Sequence, residues 1–230
     1  MDITLEFDEI KEIGISVVAI SFAFTLVFAG LDSLWKYPNY FFLFMLISLL
    51  TVGAGFILHE FAHKITAIYY GGYSRFQMWT SGLVFMLFTS LFGVLFAAPG
   101  AVYIYAPKIT KRQNGIISLA GPSTNLLLSL FFLGLSFTNP MKIYFPFLES
   151  ANGVNVWYFG AQINLILALF NAIPAFPLDG SKIFAWNKLV WFGFTVLLLA
   201  IQAILFSPIL VISWVIMFIF FFVLSRLFFR

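Results

Sequence analysis

The two histidines of the chain lie four residues apart, on either side of a glutamate, in His59-Glu60-Phe61-Ala62-His63. On a helix this spacing places both imidazoles on one face, where they can reach a single Zn²⁺ ion. Glu60 can then approach a metal-activated water without binding the metal, as a general base does. The motif predicts metal-assisted hydrolysis. The alternative is a histidine pair that only hydrogen-bonds backbone carbonyls or hydroxyls.

A catalytic zinc ion usually has three protein ligands and one open position. The chain contains no cysteine and no third histidine, so the third ligand must be a carboxylate or a weaker group. After residue 12 the acidic residues are Asp32, Glu60, Glu149 and Asp179. We expect Asp32 and Glu149 in loops on the far side of a membrane, so Asp179 is the candidate ligand. Its alternative role is that of an ordinary turn residue at the membrane interface.

The composition indicates a membrane protein. Apolar residues make up 62% of the chain, charged residues 9%, and phenylalanine occupies 32 positions. Soluble domains have about 45–50% apolar and about 25% charged residues. Because so few charges cannot cover a water-exposed surface, the lipid bilayer is the expected environment. The net charge of +3 is too small to indicate nucleic acid as a partner.

Six apolar segments approach the roughly 20 residues that a helix needs to cross a bilayer. We predict an all-α polytopic membrane protein with one integral-membrane domain over residues 1–230. Its catalytic core is expected at about 41–180 and a C-terminal helical hairpin at 186–228. The acidic residues before the first segment indicate a retained helix rather than a cleaved signal peptide. The predicted spans are 13–30, 41–69, 115–137, 156–176, 186–206 and 209–228.

A seventh apolar stretch, 83–98, is shorter, and the positions of Lys and Arg indicate that it is a re-entrant loop. If it returns to the side it came from, ten of the Lys and Arg residues lie on the cytoplasmic side of the membrane and two on the outer side. If it crosses the membrane completely, the best division is eight basic residues on the cytoplasmic side and four on the outer side. The positive-inside rule favours the first arrangement, with both termini cytoplasmic. The ten are Lys11, Lys64, Arg75, Lys108, Lys111, Arg112, Lys182, Lys188, Arg226 and Arg230, and the two are Lys36 and Lys142.

The fourth span is expected to break near its inner end, because Pro174 and Pro177 cannot continue a helix. Broken helices are tolerated inside a membrane where they line a cavity. The second and fourth spans run in the same direction, so their inner ends bring the histidine motif and Asp179 to a similar depth. Gly180 is expected to let the chain turn directly after the carboxylate.

Amide side chains in the spans are further candidates for the site. Asn171 is placed to donate a hydrogen bond to a scissile carbonyl or an oxyanion. Its alternative role is a bond to a neighbouring helix, which is also what we expect of Asn164 on the same helical face. Asn125, in Ala120-Gly121-Pro122-Ser123-Thr124-Asn125 of the third span, is another candidate substrate contact, although its small neighbours favour helix packing.

Three motifs taken together resemble those of the site-2 protease family of intramembrane zinc metalloproteases. They are the histidine motif at 59–63, Ala-Gly-Pro-x-x-Asn at 120–125 and Asn-x-x-Pro-Ala-Phe-Pro-Leu-Asp-Gly at 171–180. The resemblance implies one Zn²⁺ ion per chain, held by His59, His63 and Asp179, with Glu60 as the catalytic residue. It also implies substrates that are transmembrane helices of other proteins, with Asn171 helping to hold the substrate backbone.

Two features depart from many members of that family. We expect no appended regulatory domain, and the connection between the second and third spans is long. Residues 75–79 and 101–105 of this connection are short, aromatic-rich runs of high β-propensity. They are either strands that bind an unwound substrate as an added strand, as in the family, or an interfacial loop with its aromatic residues at headgroup level.

Two other functions compete with proteolysis of this kind. A metal-ion transporter would also carry intramembrane His and Asp, but transporters commonly show paired repeats, and none is evident here. A different membrane metallopeptidase with the same histidine motif would use a downstream glutamate as its third ligand, for which Glu149 is the sole candidate. The sequence does not define an oligomeric state.

Overall fold

The structure is a computed structural model that describes residues 6–95, 99–105, 108–148 and 152–228, with side chains up to residue 224. The candidate Glu149 lies outside the described residues. The helices are α1 (Phe7–Ala29), α2 (Leu31–Lys36), α3 (Pro38–Ser48), α4 (Ala54–Tyr69), α5 (Thr80–Ser90), α6 (Lys111–Thr138), α7 (Val156–Asn171), α8 (Asp179–Trp186), α9 (Lys188–Ile201) and α10 (Pro208–Phe228). The strands are β1 (Tyr73–Met78), β2 (Gly100–Tyr105), β3 (Lys142–Ile143) and β4 (Val154–Asn155).

Four of the described helical stretches are long and apolar enough to cross a membrane. They are α1, the continuous helix Pro38–Tyr69, α6, and the stretch Lys188–Phe206. The helix Pro38–Tyr69 consists of α3, a π-helical turn at Leu49–Gly53, and α4. These stretches confirm a mostly helical, multi-pass membrane protein. Because α5, α7 and the described apolar part of α10 are shorter, six crossings stay a prediction.

Polar caps define where several helices begin. Thr110 and Gln113 form a capping box at the start of α6, in which each side chain accepts a hydrogen bond from the other's backbone N–H. The side chains of Asn155 and Asn187 accept backbone N–H groups at the starts of α7 and α9. These bonds satisfy N–H groups that have no partner within the helix.

The expected break after the fourth span is present, although its details differ. Helix α7 ends at Asn171 rather than near residue 176, and the chain enters α8 at Asp179. The prediction of a turn at Gly180 is therefore wrong. Gly180 is required by close packing instead, since a Cβ atom there would lie 2.2 Å from the carbonyl oxygen of Ala172. That same oxygen accepts a hydrogen bond of 2.8 Å from Trp191 Nε1, which satisfies part of the broken helix.

The two β-prone runs form an antiparallel ribbon, so the interfacial-loop alternative does not hold for them. Strand β1 pairs with β2, with Phe76 opposite Val102 and Met78 opposite Gly100. Helix α5 lies between them in sequence and overlaps the stretch 83–98 that is expected to be re-entrant. Residues 96–98 of that stretch are outside the described residues.

Helix α6 lies at the centre of the bundle and packs against α4, α7 and α8. Helix α1 packs against α3, α5 and β1, and so joins the ribbon to the helices. The histidine motif on α4 and the residues 171–180 between α7 and α8 are therefore brought against the motif at 120–125, which is part of α6.

Candidate metal centre

Three predicted ligands converge in one cluster, although they come from two separate helices. His63 Nε2 lies 3.0 Å from His59 Nε2 and 3.0 Å from Asp179 Oδ2, and His59 Nε2 lies 3.3 Å from the same carboxylate oxygen. The three residues are between 5% and 8% exposed. Ligands about 2.0–2.1 Å from a tetrahedral zinc ion lie roughly 3.3 Å apart, so these separations fit one Zn²⁺ ion.

The hydrogen bonds on the far side of each imidazole determine what the cluster can bind. His63 Nδ1 lies 2.7 Å from the carbonyl oxygen of Ile117, which can only accept, so Nδ1 carries the proton. His59 Nδ1 likewise lies 2.6 Å from Asn125 Oδ1. In the neutral rings both Nε2 atoms are then acceptors that face each other and a carboxylate oxygen. Three buried acceptors in contact are suited to bind a cation, and this tautomer is the one that zinc ligands adopt.

Gly121 of α6 forms the wall over this cluster. A Cβ atom at this position would lie 2.5 Å from His63 Nε2 and 2.6 Å from His59 Nε2. Both distances are shorter than a van der Waals contact. The absence of a side chain at residue 121 therefore leaves room for an ion against the two ligand atoms.

A chain of amides extends from His59 through the bundle. Asn125 accepts from His59 and donates through Nδ2 to Asn164 Oδ1 (3.1 Å) and to the carbonyl oxygen of Gly55 (3.1 Å). Asn164 in turn donates to the carbonyl oxygen of Thr51, in the π-helical turn that precedes the histidine motif (3.2 Å). Both amides are fully buried. They connect α4, α6 and α7 and hold the His59 ring in one orientation.

We expect the loss of this chain to weaken zinc binding without removing a ligand. Asn125→Leu removes the acceptor of His59 Nδ1–H and should lower zinc affinity about 10- to 100-fold, the usual cost of losing such a partner. Zinc titration of the purified variant with a competing chelator measures the change. Asn139→Leu, at the exposed end of the same helix, is the control and should bind zinc like the wild type. Unchanged affinity in Asn125→Leu would show that the ring needs no such support.

Glu60 lies beside the ligands but is not one of the three. It is 9% exposed, and its Oε2 accepts a hydrogen bond of 2.9 Å from the backbone N–H of Val102 in β2. Glu60 and the three ligands line a cavity of about 260 Å³. The cavity is also lined by β2 residues 100–104 and by Asn171. The carboxylate is therefore placed to act on a molecule in this cavity.

The other predicted site residues occupy different positions around the cavity. Asn171 lines it and donates through Nδ2 to the carbonyl oxygen of Leu167 (3.1 Å). Asn125 lines it too, but its bonds to protein atoms indicate that it supports His59. Lys182, which was not among the candidates, lies 3.4 Å from Asp179 Oδ1. Its spacing of three residues from Asp179 on one helix was the signal that could have identified it.

Two histidines, an aspartate and an adjacent glutamate around one buried site are the donor set and base expected of a metallohydrolase, here in a helical membrane protein. Within the described part of the chain, His59, His63 and Asp179 form the one group of three such residues that could hold a metal ion. Comparisons with known proteins identify the family.

The sequence model of peptidase family M50 matches residues 45–191, which contain all three motifs. A Methanocaldococcus jannaschii protein named "Putative zinc metalloprotease MJ0611" is 42% identical over 186 residues, which are 80% of this chain and 86% of that protein. "Zinc metalloprotease MJ0392" of the same organism is 27% identical over 183 residues, 80% of this chain and 45% of that protein. "Putative zinc metalloprotease Rip2" of Mycolicibacterium smegmatis is 39% identical over 93 residues, 34% of this chain and 35% of that protein. No solved structure matches the chain.

The chain belongs to peptidase family M50, the site-2 protease family. It is a membrane zinc metalloprotease, and Zn²⁺ is its cofactor. The family assignment confirms the resemblance drawn from the three motifs and favours a protease over a metal transporter.

Proposed function

We propose that this protease hydrolyses peptide bonds within transmembrane segments of other membrane proteins, close to the cytoplasmic side of the bilayer. The observation that supports this function is the position of the metal centre. It lies against α4 and α6, which belong to two helices of membrane-crossing length, and it opens into a cavity bordered by a strand. A peptide bond that reaches this centre has to come from the membrane or its surface.

His59, His63 and Asp179 would hold the zinc ion. When bound, zinc acts as a Lewis acid that lowers the pKa of a water ligand to about 7 and polarises a carbonyl. Glu60 accepts the proton of the attacking water and later delivers it to the leaving amine nitrogen. Asn171 donates a hydrogen bond to the substrate carbonyl from the edge of the cavity.

The outer edge of β2 is the proposed binding site for the substrate backbone. The N–H of Val102 points away from β1, because it donates to Glu60. A substrate segment added along this edge would bond its backbone to β2 and place its peptide bonds beside Glu60. The segment must first lose its helix, since helical hydrogen bonds shield the peptide carbonyls.

We propose that the chain crosses the membrane six times, with both termini cytoplasmic and α5 in a re-entrant loop. Helix α5 has 11 residues. At 1.5 Å per residue it is about 16 Å long, roughly half of the 30 Å hydrocarbon core. This length supports a return to the same side, in agreement with the distribution of Lys and Arg.

Cleavage in a reconstituted bilayer tests the proposed function. The purified chain is incorporated into liposomes with a single-span substrate that carries a fluorescent cytoplasmic tag, and the products are mapped by mass spectrometry. We expect a cut within the apolar segment, loss of activity when a chelator removes zinc, and recovery when zinc is restored. Intact substrate with zinc-loaded protein, or cuts confined to the soluble tag, would refute the proposal.

A further inference from the structure

The acidic first turns of α1 lie along the outer edge of β1. Glu9 Oε1 accepts a hydrogen bond from the backbone N–H of Phe76 (2.9 Å), and Glu12 Oε2 accepts one from the backbone N–H of Met78 (2.8 Å). Because β1 pairs with β2 along its other edge, these N–H groups would otherwise be left for a further strand. Two side chains of α1 thus take the place of that strand.

Glu9 also forms a buried ion pair with Lys64. The Lys64 ammonium lies 2.6 Å from Glu9 Oε1 and 2.7 Å from Oε2, and the two residues are 3% and 1% exposed. Removing two charges from water is costly, and apolar residues of similar size are often as stable. The pair is therefore better explained by what it positions than by the stability it adds.

Lys64 lies on α4, one helical turn after Glu60, and this spacing connects the pair to the site. Glu60 bonds Val102 on the outer edge of β2, and Lys64 bonds Glu9, which bonds Phe76 on the outer edge of β1. Phe76 and Val102 are directly opposite each other in the ribbon. The contacts form a closed ring that begins and ends on one face of α4.

This ring matters because a two-stranded ribbon is only marginally stable by itself. With the β2 edge bonded to α4 through Glu60, and the β1 edge connected to α4 through Glu9 and Lys64, the ribbon has a defined distance and register relative to the metal ligands. If the contact through Glu9 is lost, two direct hydrogen bonds between α4 and the ribbon remain among the described contacts. They are the bond from Val102 N–H to Glu60 and a longer bond of 3.3 Å from Ser74 Oγ to the carbonyl oxygen of Lys64.

We propose that Glu9 and Lys64 are positioning residues of the protease, which hold the β1–β2 ribbon so that the outer edge of β2 lies beside Glu60. This inference rests on the proposed function, in which that edge binds the substrate backbone. Neither residue lines the cavity, and neither bonds a coordinating atom of the metal ligands among the described contacts, so both act through the ribbon.

The double variant Glu9→Gln/Lys64→Met tests the proposal without leaving an unpaired charge in the interior. The amide oxygen introduced by Glu9→Gln can still accept from Phe76, so the variant removes mainly the connection to α4. We expect KM for the single-span substrate to rise at least about fivefold, with zinc content unchanged and kcat changed less than KM. Amide hydrogen exchange of residues 73–78 and 100–105 should become faster.

The matched control is Asp32→Asn/Lys36→Met, which makes the same kinds of change in an ion pair whose side chains are 83% and 65% exposed. This control should retain the wild-type KM and the wild-type rates of amide hydrogen exchange in the ribbon. Wild-type KM and exchange rates in Glu9→Gln/Lys64→Met would overturn the positioning role. Absence of zinc-dependent cleavage in the wild type would instead refute the proposed function. Hydrogen exchange needs no substrate, so it tests the ring in that case as well.

Discussion

Replacing Glu60 by Gln should leave zinc bound and lower kcat about 10²- to 10⁴-fold, the range that general acid–base catalysis contributes. Gln has the shape of Glu and still accepts the hydrogen bond from Val102 N–H, but it cannot take a proton from water. His59, His63 and Asp179 are unchanged in this variant, so the metal centre should persist. Metal analysis of the purified protein and single-turnover cleavage of the reconstituted substrate measure the two quantities.

Asp179→Ala provides the contrast, because it should lose both zinc and cleavage. Removing the carboxylate leaves two imidazoles, one short of the usual three protein ligands of a catalytic zinc ion. Wild-type cleavage by Glu60→Gln would exclude Glu60 as the general base. Loss of zinc from Glu60→Gln would instead make it a ligand. A full complement of zinc in Asp179→Ala would show that another group completes the site.

The catalytic core of the site could be predicted from the sequence because the chain is poor in the residues that bind metals. With two histidines and no cysteine, the spacing of His59 and His63 identifies the motif, and few carboxylates remain as a third ligand. Asp179 was found by elimination rather than by pattern. Its position at the first residue of α8 could not be predicted, since Gly180 suggested a turn and not the close packing that the structure shows.

Contacts between distant segments account for most of what the sequence did not predict. The sequence predicted that Asn164 bonds a neighbouring helix, and it does, but its partners Asn125 and Thr51 could not be identified from the spacing. Asn171, on the same helical face, lines the cavity. The acidic residues before the first span indicated a retained helix, and Lys64 counted only as a cytoplasmic charge. Neither observation indicates that Glu9 and Lys64 meet, because the pair joins residues 55 positions apart.

Gly121→Ala should strongly weaken zinc binding although it removes none of the three ligands. The added methyl carbon would lie 2.5 Å and 2.6 Å from the two Nε2 atoms, so either the rings or α6 must shift, or the methyl group occupies the space beside the ion. Gly121 is in the interior of a helix that packs against α4 and α8, which restricts any shift. We expect zinc affinity to fall by more than about 100-fold, beyond the effect of losing one supporting hydrogen bond.

The same helix offers a matched control for this variant. A Cβ atom added at Gly134 of α6 meets nothing within 4 Å, and alanine is favoured over glycine in a helix. Gly134→Ala should therefore bind zinc and cleave substrate like the wild type, with equal or greater thermal stability. If Gly121→Ala also bound zinc normally, the ion could not lie against the face of α6. The three-ligand centre would then need a different geometry from the one these distances define, so this substitution tests the position of the metal separately from the identity of its ligands.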